Sequence, residues 1–417
     1  MLGKRNRKKE PEQYEKQVFL FSPLDTLDEV MGIFCEAFGI DPASGSGNTL
    51  ELHKEDRGIR ILVISENMGE EARDCVKDQR DRTRSHFMQV KTEHADVRLN
   101  LFYQLGLAKS FIPVSFVQPD DDFAEVEDLL IGLLPRLLGV MLIQDEPGAV
   151  YCGGEDGERR LVLSETGASD FDKYLPRTGP LLEALYPDLP EEQRRRRGRS
   201  RAVLEAYGIF VPNWYPVIEA EGEAHVRTPE EIARRAFALV SVALYSECLV
   251  GDGMSREEAY AFIQPRMAVF GADCEEAGFF SPDEWKYLHD PDSGQQEWIN
   301  GTWQYECLYV MEWALGLVDS LGFPDHYCDV PLTVRLLKEY DSVEEILAAS
   351  HPRTAAELLD ACDLIFCLDW ACVNTRLYQF PAPAGMDGGV TQEWHKSLNW
   401  LIGYGDSALW DEVSTDT

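Results

Sequence analysis

Few of the short patterns that announce a chemistry occur in this chain. It has no GxxxxGK[ST] phosphate loop, no HExxH zinc helix, no GxSxG nucleophile turn and no EF-hand loop. No two cysteines have the CxxC spacing, although there are ten, several inside apolar runs such as Cys307 and Cys362 to Cys372. That usage indicates reduced thiols in a cytosolic protein and not a disulfide framework. Long apolar runs are missing too. The longest, Leu129 to Ile143, is interrupted by Pro135 and Arg136 and falls short of the ~20 residues that span a bilayer. The basic start, MLGKRNRKKEPEQ, leads only into Val18 to Phe21, too short for the apolar region of a secretory signal. A cytoplasmic location is expected.

Positive charge is scarce as well. Lys and Arg total 39 against 74 Asp and Glu, a net charge of -35. Such a chain repels nucleic acid and anionic membrane at long range, so neither is an expected partner, whereas a basic protein is. The acids are spread along the chain, as on a solvated surface. Mimicry of nucleic acid would need them gathered on one face. What is present is material for burial. With 417 residues, 44% hydrophobic and 11% aromatic, the chain is too long for one ordinary core.

The expected fold class is α+β: an N-terminal sheet domain over 16–165 and an all-helical domain over 201–417. Residues 1–15 read as a disordered basic tail, and 166–200 as a Pro/Arg-rich junction. In the first domain, Val18 to Phe21, Thr49 to His53, Ile59 to Ser65, Phe111 to Val117, Val140 to Ile143, Ala149 to Tyr151 and Leu161 to Leu163 read as strands. Glu55 to Gly58 is a turn between two of them. Leu27 to Phe38, Glu70 to His86, Val97 to Ala108 and Asp122 to Leu138 read as helices on a face of the sheet. The junction carries Arg194 to Arg197, Arg199 and Arg201, which read as a solvated helix balancing nearby acids. The second domain repeats a start signal. Thr228-Pro229-Glu230-Glu231 sets a cap, a first-turn proline and a capping-box acid in order, and Ser281 with Glu284, Ser342 with Glu345 and Thr354 with Glu357 repeat it. These mark helices near 229–250, 282–289, 343–349 and 355–379. Two more are expected near 297–321 and 391–403.

Helical phase singles out a polar set. Glu297 to Leu321 is apolar on two faces and so sits mid-domain. A Glu there, Glu306, must be paired, metal-bound or protonated. Arg376 follows Leu358 of the core stripe by eighteen residues, five whole turns, and so projects from the buried face, with Asp369 seven residues before it. His395, Leu398, Asn399 and Ile402 lie at i, i+3, i+4 and i+7, so His395 and Asn399 face inward one turn apart. The terminus adds Trp394, Trp400 and Trp410, which favour burial, and Asp411 and Asp416 as further partners for Arg376. One reading of Glu306, Asp369, Arg376, His395 and Asn399 is a site, with a carboxylate and His as acid/base groups and Arg as an anion clamp. The other is an ion-pair network that fixes how helices and tail dock. His326, Cys328 and Asp329 could hold a metal, but no fourth ligand is evident. No cofactor is expected.

At these residues the chain resembles the DUF4272 family, bacterial proteins of unknown function. The carrying segments are RTPEEIARRAFALVSVALYSE (227–247), WQYECLYVMEWALGLVDSL (303–321), CDV (328–330), RLYQFPAPAG (376–385) and the LNWLIGYGDSALWDEVSTDT terminus. The resemblance spans roughly 200–417. It implies the fold division and adds weight to Trp303, Glu306, His395, Asn399 and the tail; Tyr305 and Trp400 join the candidate polar network. It implies no reaction. The family pattern has a basic residue before the Tyr-Glu pair, where this chain has Gln304. The function expected is a non-catalytic interaction or regulatory protein, immunity-like in its sharpest form. The alternative is an enzyme acting on a small anionic substrate through the Glu/Arg/His/Asn set.

Overall fold

The computed structural model describes residues 14–41, 47–54, 57–118, 123–145, 147–179, 185–406 and 409–417. Most of the expected basic tail and two residues of the expected turn, Glu55 and Asp56, lie outside these. The chain divides into two compact units: residues 1–185 with 212–214, and residues 186–211 with 215–417.

The first unit is built on an eight-stranded, fully antiparallel sheet: β1 (Tyr14–Ser22), β2 (Thr49–Lys54), β3 (Arg57–Leu62), β4 (Ile64–Ser65), β5 (Ser110–Gln118), β6 (Val140–Ile143), β7 (Ala149–Gly153) and β8 (Arg159–Ser164). The order is β2-β3-β5-β1-β6-β7-β8, with β4 also on β5. Sequence patterning expects β3 and β4 as one strand. They separate because β5 carries Pro113, which has no N–H to donate. β3 pairs with Gly58↔Val117 to Ile61↔Val114 and β4 with Ile64↔Phe111, so the interruption falls opposite the proline. Val63, in the gap, donates instead to Asn48 O. The two-residue period of the strands then sorts the faces. Val18, Leu20, Ile112, Val114 and Met141 share one core with α1 (Leu27–Phe38) and α4 (Ala124–Leu137). Their alternates Phe19, Phe21 and Phe111 line a pocket with Phe87 of α2 (Glu70–Met88). Helices therefore cover both faces, not one as expected; α3 (Ala95–Gly106) runs beside α2.

The second unit is all helical: α5 (Glu191–Tyr207), α6 (Pro229–Val250), α7 (Arg256–Phe270), α8 (Pro282–His289), α9 (Gln295–Thr302), α10 (Gln304–Ala314), α11 (Val330–Lys338), α12 (Val343–Ala349), α13 (Ala355–Leu377) and α14 (Gly388–Ile402). The caps explain the starts. Thr228, Ser281, Ser342 and Thr354 each accept from the backbone N–H three residues on. Ser255 does the same for α7, a helix that the sequence reading leaves out, as it does α11. The helix expected over 297–321 is two. Hydrogen bonds tighten to the i→i+3 pattern around Trp303, and α10 stops at Ala314. The stop is enforced by Gly316, at φ +72°, where any Cβ would overlap His351 O. His351 and Arg353 donate their backbone N–H groups to the freed carbonyls of Leu315 and Ala314. The chain end folds back onto this unit. Trp410 is buried edge-on against Trp400, and Arg235 and Lys396 lie over its ring. Among the described residues no helix is long and apolar enough to cross a membrane.

Candidate functional site

Glu306 sits in the first turn of α10, 3% exposed. Its carboxylate accepts from Trp394 Nε1 of α14 at 3.0 Å and from Cys328 N at 2.8 Å. One side chain thus joins α10, α14 and the loop before α11. Burial, then the charge of Glu306, push the Cys328 thiol well up, so it stays protonated. Next to Glu306, Tyr305 gives its hydroxyl to Glu247 of α6 in a short hydrogen bond. Trp303 is half-buried and meets Tyr327 edge-on. Gln304 leaves its buried Oε1 without a partner among the described residues.

Asp369 and His395 form a second buried pair, Oδ2 to Nδ1 at 2.7 Å, with the Phe366 ring beside the imidazole. The carboxylate orients the ring through Nδ1 and leaves Nε2 without a hydrogen-bond partner among the described residues. Arg376 does not join this pair. The five-turn argument places it inward, but the structure places it in solvent. Thr375 takes the buried position of that turn, and α13 ends one residue after Arg376, with Leu377 itself 75% exposed. The helix has run past its neighbours, so its face no longer determines burial.

Asn399, one turn on from His395, donates to Ser414 O at 2.8 Å and accepts from the Cys362 thiol. It fastens the tail. Trp400 is buried beneath Trp410, with the Arg227 guanidinium over its ring. Asp411 also serves the tail and not Arg376: it accepts from Ser281 Oγ at 2.5 Å and Asp283 N at 3.0 Å, at the start of α8. Asp416 is exposed. The metal candidates are spread over separate tasks. His326 is exposed and bound to Asp325, Cys328 N is held by Glu306, and Asp329 caps α11 through Leu332 N. Among the described residues, no three His, Cys, Asp or Glu side chains are placed to hold a metal ion.

Other buried charges were not singled out by the sequence. Arg197 on α5 donates through Nη2 and Nε to both oxygens of Asp363 on α13, at 2.8 and 3.1 Å, and Ser200 Oγ adds a bond of 2.6 Å. Arg196 is bound to Glu192 and to the Glu219 carbonyl. Both arginines are 2% exposed, so the helix read as solvated buries half of its four-arginine run. A signal existed: Gln193, Arg197, Ser200 and Leu204 recur at helical spacing, a largely polar stripe on one face of the helix, all four buried. Arg235 pairs with Glu284 in a short contact. Glu312 differs from all of these. It is fully buried, neither carboxylate oxygen has a partner among the described residues, and burial pushes its pKa up to about 9.

A pocket of about 420 Å³ lies close by, lined by Trp313, Arg353, Leu364, Trp394 and Leu398 among others. Glu306, Asp369, Arg376, His395 and Asn399 do not line it. Glu306, Asp369 and Asn399 thus form a set of interior hydrogen-bond locks, each committed to a named partner. A family model described as a domain of unknown function (DUF4272) matches residues 196–413, more than half of the chain. No curated protein and no solved structure matches it. The chain belongs to the DUF4272 family.

Proposed function

We propose that this DUF4272 protein is a non-catalytic interaction or regulatory protein of a bacterial cytoplasm, with an immunity-like role against a basic protein partner as its sharpest form. The observation that carries the reading is the commitment of the inward polar groups. Glu306 holds Trp394 and Cys328, Asp369 holds His395, and Asn399 holds the tail. Groups engaged in this way fix helices and are withheld from a substrate. The net charge of -35 favours a cationic partner and disfavours nucleic acid and anionic membrane. The test is native purification of the full chain at low salt. The expected result is a stoichiometric complex with a basic protein whose association slows as salt is raised. A chain that stays alone in lysates of several growth conditions overturns the reading.

One feature favours the rival, an enzyme acting on a small anionic substrate: the Asp369–His395 pair has the form of an oriented acid/base imidazole with a free Nε2. Its anion clamp is lacking, since Arg376 lies in solvent. Glu306→Gln separates the readings. An enzyme loses turnover with its stability intact, whereas a lock loses stability.

A further inference from the structure

Among the described residues of the sheet unit, Arg177 and Arg160 have no acidic partner. β7 ends at Gly153, whose α-carbon is pressed against α4: a Cβ there would overlap Ile131 O and lie 2.8 Å from Pro135 Cδ. The Gly153 carbonyl accepts from Nη2 of Arg177. Arg177 is itself fixed from α3. Its N–H donates to Gln104 Oε1 at 2.6 Å, Gln104 Nε2 donates to its carbonyl at 3.3 Å, and Asn100 Nδ2 holds the Tyr174 carbonyl at 2.6 Å. A pocket of about 480 Å³ opens here, lined by Cys152, Arg160, Phe171, Tyr174 and Arg177, with Glu155 and Asp156 also on its wall.

Arg177 Nη1 is buried and has no hydrogen-bond partner among the described residues. Neither Arg177 nor the exposed Arg160 pairs with a carboxylate among them, in a chain with 74 acids to 39 bases. A buried donor calls for an acceptor, and an anionic acceptor is the stronger partner for a guanidinium. The acids on the wall do not fill that need: Asp156 accepts from Glu158 N, and Glu155 is exposed. Cys152 places no charge of its own there, because burial pushes its thiol to about 11 against the opposing pull of Arg177 and Arg160. Phe171 and Tyr174, edge to face at 5.4 Å, give the pocket an aromatic wall, and its volume is that of a small-molecule site.

We propose that this pocket binds a small organic oxyanion, a carboxylate or phosphate monoester whose charged end docks on Arg177 and Arg160 and whose apolar arm lies on Phe171 and Tyr174. Calorimetric titration of the full chain with phenylacetate, phenyl phosphate and neutral phenylacetamide tests this. The expected result is saturable binding of at least one anion, none of the amide, and about tenfold weaker binding in Arg160→Gln. The preferred anion tells carboxylate from phosphate. Arg160 is exposed, so that variant keeps the native melting temperature. Arg177→Gln abolishes binding, and if its circular dichroism shows it unfolded, Arg160→Gln decides alone. The proposal is overturned if neither anion binds at millimolar concentration, if the amide binds equally well, or if Arg160→Gln binds with native affinity.

Discussion

The two units bury polar groups in opposite ways. In the sheet unit the fully buried polar side chains are almost all neutral, such as Ser22, Asn100, Gln104 and Ser110, and Glu127 is the one buried charge among the described residues. In the helical unit Arg196, Arg197, Arg235, Glu284, Glu306, Glu312, Asp363, Asp369 and His395 are all buried. The difference follows from the backbone. Strands are tied to their neighbours through backbone amides, and the apolar face they bury sets the register. A helix satisfies its own backbone and is free to slide or turn against its neighbours. Directional side-chain bonds such as Arg197–Asp363 remove that freedom, at a desolvation cost that apolar packing would avoid.

This contrast predicts a hierarchy of effects. Deleting Trp410 to Thr417 removes a buried ring, the Asn399–Ser414 bond and the contacts of Asp411 with α8. The loss expected for the helical unit is about 3–5 kcal/mol from the tryptophan alone, read by urea unfolding. A truncated protein that unfolds like the full chain would show that the tail only decorates the surface. Asp363→Ala leaves Arg197 buried and without its carboxylate, a loss of about 3 kcal/mol or more. No comparable sensitivity is expected at the neutral buried groups of the sheet unit.

Glu312 sharpens the comparison, because it is a buried acid of the helical unit that has no partner and stays protonated. Its pKa rises from 4.5 to about 9, so its contribution to stability is complete below pH 4.5, is lost as pH rises toward 9 and is constant above that. Glu312→Gln should therefore gain on the native protein between pH 5 and 9, by on the order of 1 kcal/mol per pH unit. Parallel stability curves in a pH series of urea melts would sink this. The smallest effect belongs to Arg376→Ala, within about 0.5 kcal/mol, since that side chain is in solvent. A large loss there in the same assay would put it back in the network.

The sequence shows faces well and partners poorly. α6, α8 and α12 coincide with their expected ranges because each begins with a cap and a three-residue-later acid, a wholly local signal. His395 and Asn399 lie four apart on one face, and both are buried. Which groups they meet, Asp369 and Ser414, depends on how helices cross, which spacing does not encode. α5 is read as solvated because its buried stripe is largely polar. Arg376 misleads because periodicity gives direction and not where the neighbouring helices end. The stop at Gly316 is set by contact with distant chain at His351.

The Asn399–Ser414 bond also has a consequence in time. The last strand of the sheet is complete at Ser164, and Arg177, which bonds the end of β7, follows soon after. The helical unit cannot close until Ser414 has been made. At ribosomal speeds of about 5–20 residues per second, the gap is roughly 10–50 s. In the last part of it α6 and α10 are made but α14, on which α10 packs, is not, so nascent helical domain, and not nascent sheet, is the natural client of a chaperone.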